Sequence, residues 1–337
     1  MKSKYLAAAL LSSLPLFANA QTNVQIYGVM DASIGVEDTD APGEDSRTVV
    51  NSGNQSSSRI GFRGTEDLGN GLKALFNIEA GVALDTGAAD SNLFGRRAVV
   101  GLQGNFGTLT VGREYSPIAA VAAASDALAQ GLYGSNLSAF TTGRLTRRLA
   151  NSVNYKSNAA GGFTVNAAYS TGERAVEPSG DLMGVSLEYK AGALYLGAGY
   201  HQIERLATGD DKEYAFGAAY TMGAFELKGS YLVADLTGAN NEYKNTTIGG
   251  TYTAGPNKFF LNFQQQKIET GAKGNTVTLA YTYALSKRTN IYTTYAQLRN
   301  NGRGAFGITS SSVTLAPPAT ALGADPRVFN VGVRHSF

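Results

Sequence analysis

The feature that most constrains this chain is a period-2 alternation of apolar and polar residues, sustained in segments of about ten residues almost to the last position. Val24, Ile26, Gly28, Met30, Ala32 and Ile34 alternate with Gln25, Asp31 and Ser33. Phe225, Leu227, Tyr231 and Val233 alternate with Glu226, Lys228 and Ser230, and Val277, Leu279, Tyr281 and Tyr283 with Thr276, Thr278 and Thr282. The chain ends in the same way, on Phe329, Val331, Val333, His335 and Phe337. Successive residues of a strand point to opposite faces, so every segment has one apolar and one polar side. A soluble sandwich or a membrane barrel could use such strands. Sandwich strands usually run to about 5–6 residues, whereas a tilted strand needs about 10 to cross a bilayer. Many apolar faces also carry Tyr or Phe near one end, as interfacial girdles require. Lipid satisfies no open sheet edge, so the sheet must close. The expected fold is all-β: a closed, antiparallel transmembrane barrel.

Composition narrows the chemistry. There is no cysteine, which removes disulfides and thiolate metal sites, and only two histidines, His201 and His335, so no metal site and no cofactor are expected. His201 reads as isolated near an outer loop, and His335 as a residue of the apolar face at a membrane interface. Gly302, Gly304 and Gly307 match G-x-G-x-x-G, but in a Gly/Ser/Pro-rich stretch with no strand before and no helix after it. No catalytic motif stands out, and no enzyme is expected.

Residues 1–20 read as a secretory signal peptide: Lys2 and Lys4, an apolar core, then Ala18-Asn19-Ala20. The barrel domain is expected over 21–337. Loss of Lys2 and Lys4 from 28 basic residues leaves them equal to the 26 acidic ones, so nucleic acid is not an expected partner.

Connections alternate between tight and long. Tight turns are expected at 67–71, 105–107, 191–193, 222–224, 255–257 and 286–288, and long loops at 37–55, 117–144 and 299–326. Short periplasmic turns and longer outer loops are the asymmetry of an outer-membrane barrel. The count is 16 strands, joined by seven turns and eight loops. One segment departs from the pattern, SPIAAVAAASDALAQG, where Ser116 is a candidate N-cap, Pro117 the first helical residue and Gly131 the C-terminal cap. A loop of this length that is not disorder-like is expected to be functional, here by folding into the lumen.

Parity then assigns the charges. Ile60 and Phe62 take the lipid face, which sends Arg59 and Arg63 into the lumen. Val153 and Tyr155 do the same for Arg148, and Glu79 also faces inward. Of the adjacent Arg96 and Arg97, one is expected inside. A charge on the lipid face near the midplane costs about 2–4 kcal/mol, which gives these assignments physical weight.

VQIYGVMDASIG, SRIGFRGTEDLGNGLKALFNIEAG, LFGRRAVVGLQGNFGTLTVGREY, ANSVNYKS, GPNKFFLNFQQQK, YALSKRTNIYTTYA and the terminal GVRHSF together resemble the trimeric general porins of Gram-negative outer membranes. The similarity runs along the whole mature chain and is greatest to the beta-proteobacterial branch, which includes anion-selective members. It implies a 16-stranded barrel, a homotrimer in outer-membrane lipid and lipopolysaccharide, and a third loop, about residues 115–145, folded inward as the constriction. It also implies that Arg59, Arg96 and Arg148 form an arginine cluster opposite that loop, with Arg96 as the matching member of its pair. Arg97 departs from the family pattern, in which Gln is expected. Glu79 and Asp126 are the candidate counter-charges. The aromatic terminus, Phe337, is similar to the signal read by the barrel-assembly machinery. The implied function is passive diffusion of small polar or anionic solutes. A substrate-specific channel for sugars or dicarboxylates, and a non-conducting adhesive or structural barrel, are the alternatives.

Overall fold

A computed structural model describes residues 23–141, 144–176, 178–205 and 209–337. The expected signal peptide lies outside the described residues. The strands are β1 (Asn23–Asp38), β2 (Arg47–Ser52), β3 (Arg59–Gly69), β4 (Leu72–Gly81), β5 (Arg97–Gly104), β6 (Gly107–Tyr115), β7 (Arg148–Lys156) and β8 (Phe163–Ser170). They continue as β9 (Leu182–Ala191), β10 (Leu194–Ile203), β11 (Asp211–Met222), β12 (Phe225–Asp235), β13 (Tyr243–Ala254) and β14 (Asn257–Ile268). The last are β15 (Lys273–Ala284), β16 (Thr289–Asn300), the short β17 (Ile308–Thr309) and β18 (Thr314–Leu315), and β19 (Arg327–Ser336). Two helices, α1 (Pro117–Ala124) and α2 (Ser138–Thr141), lie between β6 and β7.

All strands but β17 and β18 form one sheet in which each pairs antiparallel with its sequence neighbour. β2 and β3 pair with successive parts of β1, residues 32–37 and 23–29, so they are two pieces of one barrel stave. That makes a closed barrel of 16 staves. The expected loop over 37–55 is therefore corrected: β1 continues to Asp38, β2 returns from Arg47, and the break falls at 53–58. Buried Asp31 holds the break by accepting bonds from the backbone N–H of Gln55 (3.0 Å) and Ser56 (2.7 Å) and from the Tyr292 hydroxyl (2.6 Å).

Closure joins β1 to β19, from Val29 opposite Ser336 to Asp38 opposite Arg327. Gly28 and Phe337 exchange backbone hydrogen bonds of 3.1 Å. A Cβ at Gly28 would collide with the Phe337 ring and the Arg59 carbonyl oxygen. Here glycine makes room for the chain's own terminal aromatic.

The outward residues are the exposed apolar ones, among them Ile26, Val100, Leu187, Phe216, Leu261, Leu279 and Val331. Near the tight turns, Phe225, Tyr252, Phe259 and Tyr281 make a continuous row across β12–β15, with neighbouring ring centroids 4.6, 6.4 and 5.1 Å apart. This is an interfacial girdle. The inner wall is polar, carrying Asn245, Asn262, Gln264, Gln266 and Thr278, all buried.

Candidate pore constriction

The interior of the barrel is occupied by residues 116–141 and 144–147. The Ser116 side chain caps α1 by accepting from Ala119 N–H, and Pro117 follows as the first helical residue. The helix ends at Ala124 instead of reaching Gly131, because Ser125 turns its hydroxyl back onto the Val121 carbonyl (2.7 Å) and Asp126 accepts from Gln130 N–H (2.7 Å) to close a turn. Ile118, Val121 and Ala122 pack into an apolar cluster with Ala215, Leu232 and Ala234 of the wall. Further along, the inner-wall amides receive the loop backbone. Asn262 donates to Gly134 O (3.0 Å), Gln264 to Ser135 O (2.7 Å), and the Thr278 hydroxyl to Tyr133 O (2.9 Å). Amide side chains suit this task because each satisfies a loop carbonyl that would otherwise be buried unpaired.

Both ends of the loop are tied to one buried pair. His201 Nδ1 lies 2.9 Å from Glu213 Oε2, and both side chains are nearly inaccessible. Ile118 N–H donates to His201 Nε2 at 3.4 Å, while Thr146 donates from its backbone N–H (3.0 Å) and hydroxyl (2.8 Å) to Glu213. The expectation of an isolated His201 is thus corrected. Its partner, twelve residues away across the β10–β11 hairpin, brings the two ends of the loop together.

The arginines gather on the opposite wall. Arg96 Nε donates to Glu79 Oε1 at 2.6 Å, and Arg59 Nε lies 3.2 Å from Glu79 Oε2. Tyr27 hydroxyl also donates to Glu79 Oε2 (3.2 Å). Arg148 and Arg96 each donate from Nη2 to the Tyr115 hydroxyl, at 3.1 and 3.4 Å. The Arg147 and Arg148 guanidiniums lie over the Tyr115 ring at 5.6 and 4.8 Å. Arg147 also donates to Gln130 Oε1 of the loop (3.2 Å). Burial first, and the neighbouring Arg148 charge second, lower Arg147 to about 10, which leaves it cationic at neutral pH.

The expected trio is therefore brought together around Glu79 and Tyr115, and Arg147 joins it. Arg97 is also on the lumen side, since it lies opposite Glu79 in the ladder and pairs with Glu114 through Nε (2.9 Å). One inward residue per adjacent pair would hold inside a strand, but Arg96 precedes β5 in a bend. Asp126 is not brought to the cluster. It is fully buried among loop backbone donors. Tyr115 and Arg147 escaped sequence reasoning. The ladder shifts register between Gly112 and Glu114, with Asn151 of β7 left-handed, so Tyr115 meets Arg148 as a cross-strand partner that strict alternation does not give.

Arg96, Arg147 and Arg148 line a cavity of about 410 Å³ together with hydroxyls of Ser57, Ser58 and Ser312, and exposed Asp85 and Asp90 flank it from residues 82–96. Among the described residues of the inward loop Ala123, Ala129 and Thr141 are exposed, Thr141 lines the cavity, and the sole carboxylate is Asp126. A polar cavity lined by guanidiniums, hydroxyls and two carboxylates thus lies inside a lipid-facing barrel.

Comparison with known proteins identifies such a barrel. The family model for Gram-negative porins matches residues 7–303. The chain belongs to the Gram-negative porin family. This porin is 30% identical over 364 residues to outer membrane porin protein 32 of Delftia acidovorans, spanning the full length of both. Its fold matches a structure of an anion-selective porin from Comamonas acidovorans with a TM-score of 0.85 and 27% identity, over 94% of this chain and all of the other. The trimer form of OmpT, an outer membrane protein of Vibrio cholerae, shares the fold at a TM-score of 0.69 and 19% identity, over 94% of this porin and 99% of that chain. The porin resides in the outer membrane.

Proposed function

We propose that this porin is a passive diffusion channel for small hydrophilic solutes that favours anions through the arginine cluster. The charge imbalance of the constriction carries that reading. Arg59, Arg96, Arg147 and Arg148 have one carboxylate in ion-pair contact, Glu79; Asp85 and Asp90 add two exposed carboxylates at the same cavity, and the inward loop brings none to it. Guanidiniums stay charged at any working pH and present several donors to a passing carboxylate or phosphate. A narrow passage in low-dielectric walls focuses their field, the general device of anion filters. The solved Comamonas acidovorans relative is described as anion-selective. The deciding measurement is the zero-current potential of purified protein in a planar bilayer across a potassium chloride gradient. Chloride should be preferred. A potential at the unselective value would remove the anion reading, absent conductance would remove the channel, and saturable block by one sugar or dicarboxylate would replace it with a specific channel.

The assembly is proposed to be a homotrimer. The outward faces of β1–β5 carry Val24, Ile26, Ile34, Ile60 and Val100 and no tyrosine, whereas β8–β16 carry the interfacial aromatics. A sector whose outward aromatics are Phe62 and Phe76, with no tyrosine, fits another copy better than it fits a lipid interface. Phe337, seated on Gly28 at the seam, is proposed as the element through which the barrel-assembly machinery recognises the chain.

A further inference from the structure

We propose that the cavity beside the arginine cluster is a docking station for short zwitterionic peptides. It holds a dipeptide by its two ends, the carboxylate on Arg147 and Arg148 and the ammonium on Asp85 and Asp90. The proposal rests on the diffusion-channel reading and names a solute class for it. All four side chains line the same cavity of about 410 Å³. Among the described residues Arg147 and Arg148 form no ion pair, and the Asp85 and Asp90 carboxylates have neither an ion pair nor a hydrogen bond. Two positive and two negative groups therefore share one space beyond ion-pair distance of each other. Opposite charges free to move would close that gap, so the fold must hold them apart.

Each set stands on its own support. Arg147 donates to Gln130 Oε1 (3.2 Å) and Arg148 to the Tyr115 hydroxyl (3.1 Å), with both guanidiniums against the Tyr115 ring. The carboxylates come from the connection between β4 and β5, which folds back on itself. Val82 N–H donates to Ser58 O (3.0 Å), Ala83 N–H to Ala88 O (2.8 Å) and Gly87 N–H to Ala83 O (2.7 Å), and Val82 bridges Ala89. Asp90 comes to rest over Gly81, where a Cβ would collide with its carboxylate. Gly81 lies opposite Arg59 in the inward row of β4, so this carboxylate stands on the lumen side. The layout reads a solute by both ends. A lone anion meets the guanidiniums but also faces Asp85 and Asp90, and a lone cation meets the reverse. A zwitterion satisfies both walls with charge-assisted bonds. A free amino acid carries its two charged groups on one carbon, too close to reach supports that do not touch. An extended dipeptide separates them by about 7 Å. Its peptide group then lies against the hydroxyls of Ser57 and Ser312, of which Ser312 has no partner among the described residues.

The test is solute block of single-channel conductance by full-length porin in planar bilayers, in potassium chloride at pH 7. The probes are glycylglycine, N-acetylglycylglycine (carboxylate only), glycylglycine amide (ammonium only) and glycine. Glycylglycine should reach half-block at a concentration roughly tenfold below that of each other probe. Asp85→Asn with Asp90→Asn should lose that margin, while Asp45→Asn, on the β1–β2 turn outside the cavity, should keep it. Open-channel steps without solute establish that each variant is folded, and the zero-current potential in the same bilayers reports chloride preference separately. Should the double variant give no steps, Asp90→Asn alone should lower the margin about threefold. A porin that conducts and prefers chloride, yet is blocked equally by all four probes, overturns the station and leaves the diffusion reading standing. A porin without conductance removes that reading and the station with it. The proposal is also overturned if the Asp85 and Asp90 variants keep the margin, if Asp45→Asn loses it, or if glycine or the amide blocks as well as glycylglycine.

Discussion

The Tyr115 hydroxyl accepts a hydrogen bond from Arg148 Nη2 at 3.1 Å, and the two residues are cross-strand partners at the point where β6 and β7 release the inward loop. That contact solves a problem the cluster creates. Guanidiniums brought close together in a partly desolvated wall repel one another, and a carboxylate between each pair would cancel the field the pore uses. A neutral phenol separates Arg147, Arg148 and Arg96 while holding them by ring face and hydroxyl. Repulsion is reduced without removing charge.

Removing the cluster should bring the pore towards indifference. Arg59→Ala with Arg148→Ala deletes one cation from each end of the Glu79–Tyr115 arrangement. The chloride-to-potassium permeability ratio from zero-current potentials should move towards unity. The difference from wild type should shrink in strong salt, since the Debye length falls from about 10 Å at 0.1 M to about 3 Å at 1 M. An unchanged ratio would locate the selectivity elsewhere.

Glu79→Gln should act in the opposite direction. The substitution keeps the shape but frees Arg59 and Arg96 from their shared carboxylate. One unit charge about 4 Å from a passing ion is worth ~1 kcal/mol even in bulk water, or roughly a fivefold ratio. The preference for chloride should rise by up to that factor in dilute salt. A fall would mean that Glu79 serves chiefly to aim the arginines, which disperse without it.

The inward loop should loosen when either member of its buried clamp is removed. His201→Leu leaves Glu213 buried without its imidazole partner, and Glu213 carries the bonds from Thr146. Leaving a buried hydrogen-bonding group without its partner costs about 1–3 kcal/mol, and more when that group is charged. The barrel ladder is untouched, so the heat-modifiable gel shift should persist while single-channel traces gain frequent partial closures. Quiet, wild-type traces would show that the apolar packing of Ile118 and Val121 suffices to hold the loop.

What could be read beforehand followed the strands. Alternation located the staves, the tight turns and the inward side of Arg59 and Glu79, because inside a regular ladder position fixes direction. It failed wherever the backbone left the ladder. β2 was hidden because the break at 53–58 depends on Asp31 and Tyr292, and Tyr292 is distant in sequence. Arg96 and Arg97 share the lumen side because a bend separates them, and the Asn151 irregularity decides where Tyr115 and Arg148 meet. Asp126 was misplaced because a loop carboxylate's direction is set by the turn it closes, and sequence spacing does not give that.

That carboxylate supplies a pH dependence. Burial is the main cause raising Asp126 to about 6 from an ordinary 3.8, against the opposing backbone bonds from Gln130 and Leu128. It lies in the loop outside the strands, so its protonation bears on the loop's packing. A carboxyl whose pKa rises on burial favours the packed loop in its protonated form. The contribution is complete below about pH 3.8 and is lost as the pH climbs through about 6. Two units of difference correspond to at most ~3 kcal/mol. Asp126→Asn keeps one oxygen, which can accept the shorter bond from Gln130 N–H (2.7 Å), and it carries no charge at any pH. The longer bond from Leu128 N–H (3.4 Å) is given up, as it is at the protonated oxygen of the neutral acid. The variant should therefore match wild type near pH 4 and hold its loop more firmly at pH 8. Protease cleavage within residues 118–137 of the folded barrel measures this: the wild-type rate should exceed the variant's at pH 8 by up to about a hundredfold and converge with it at pH 4. Equal rates at both values would mean that water reaches the Asp126 carboxylate and that the buried turn does not control the loop.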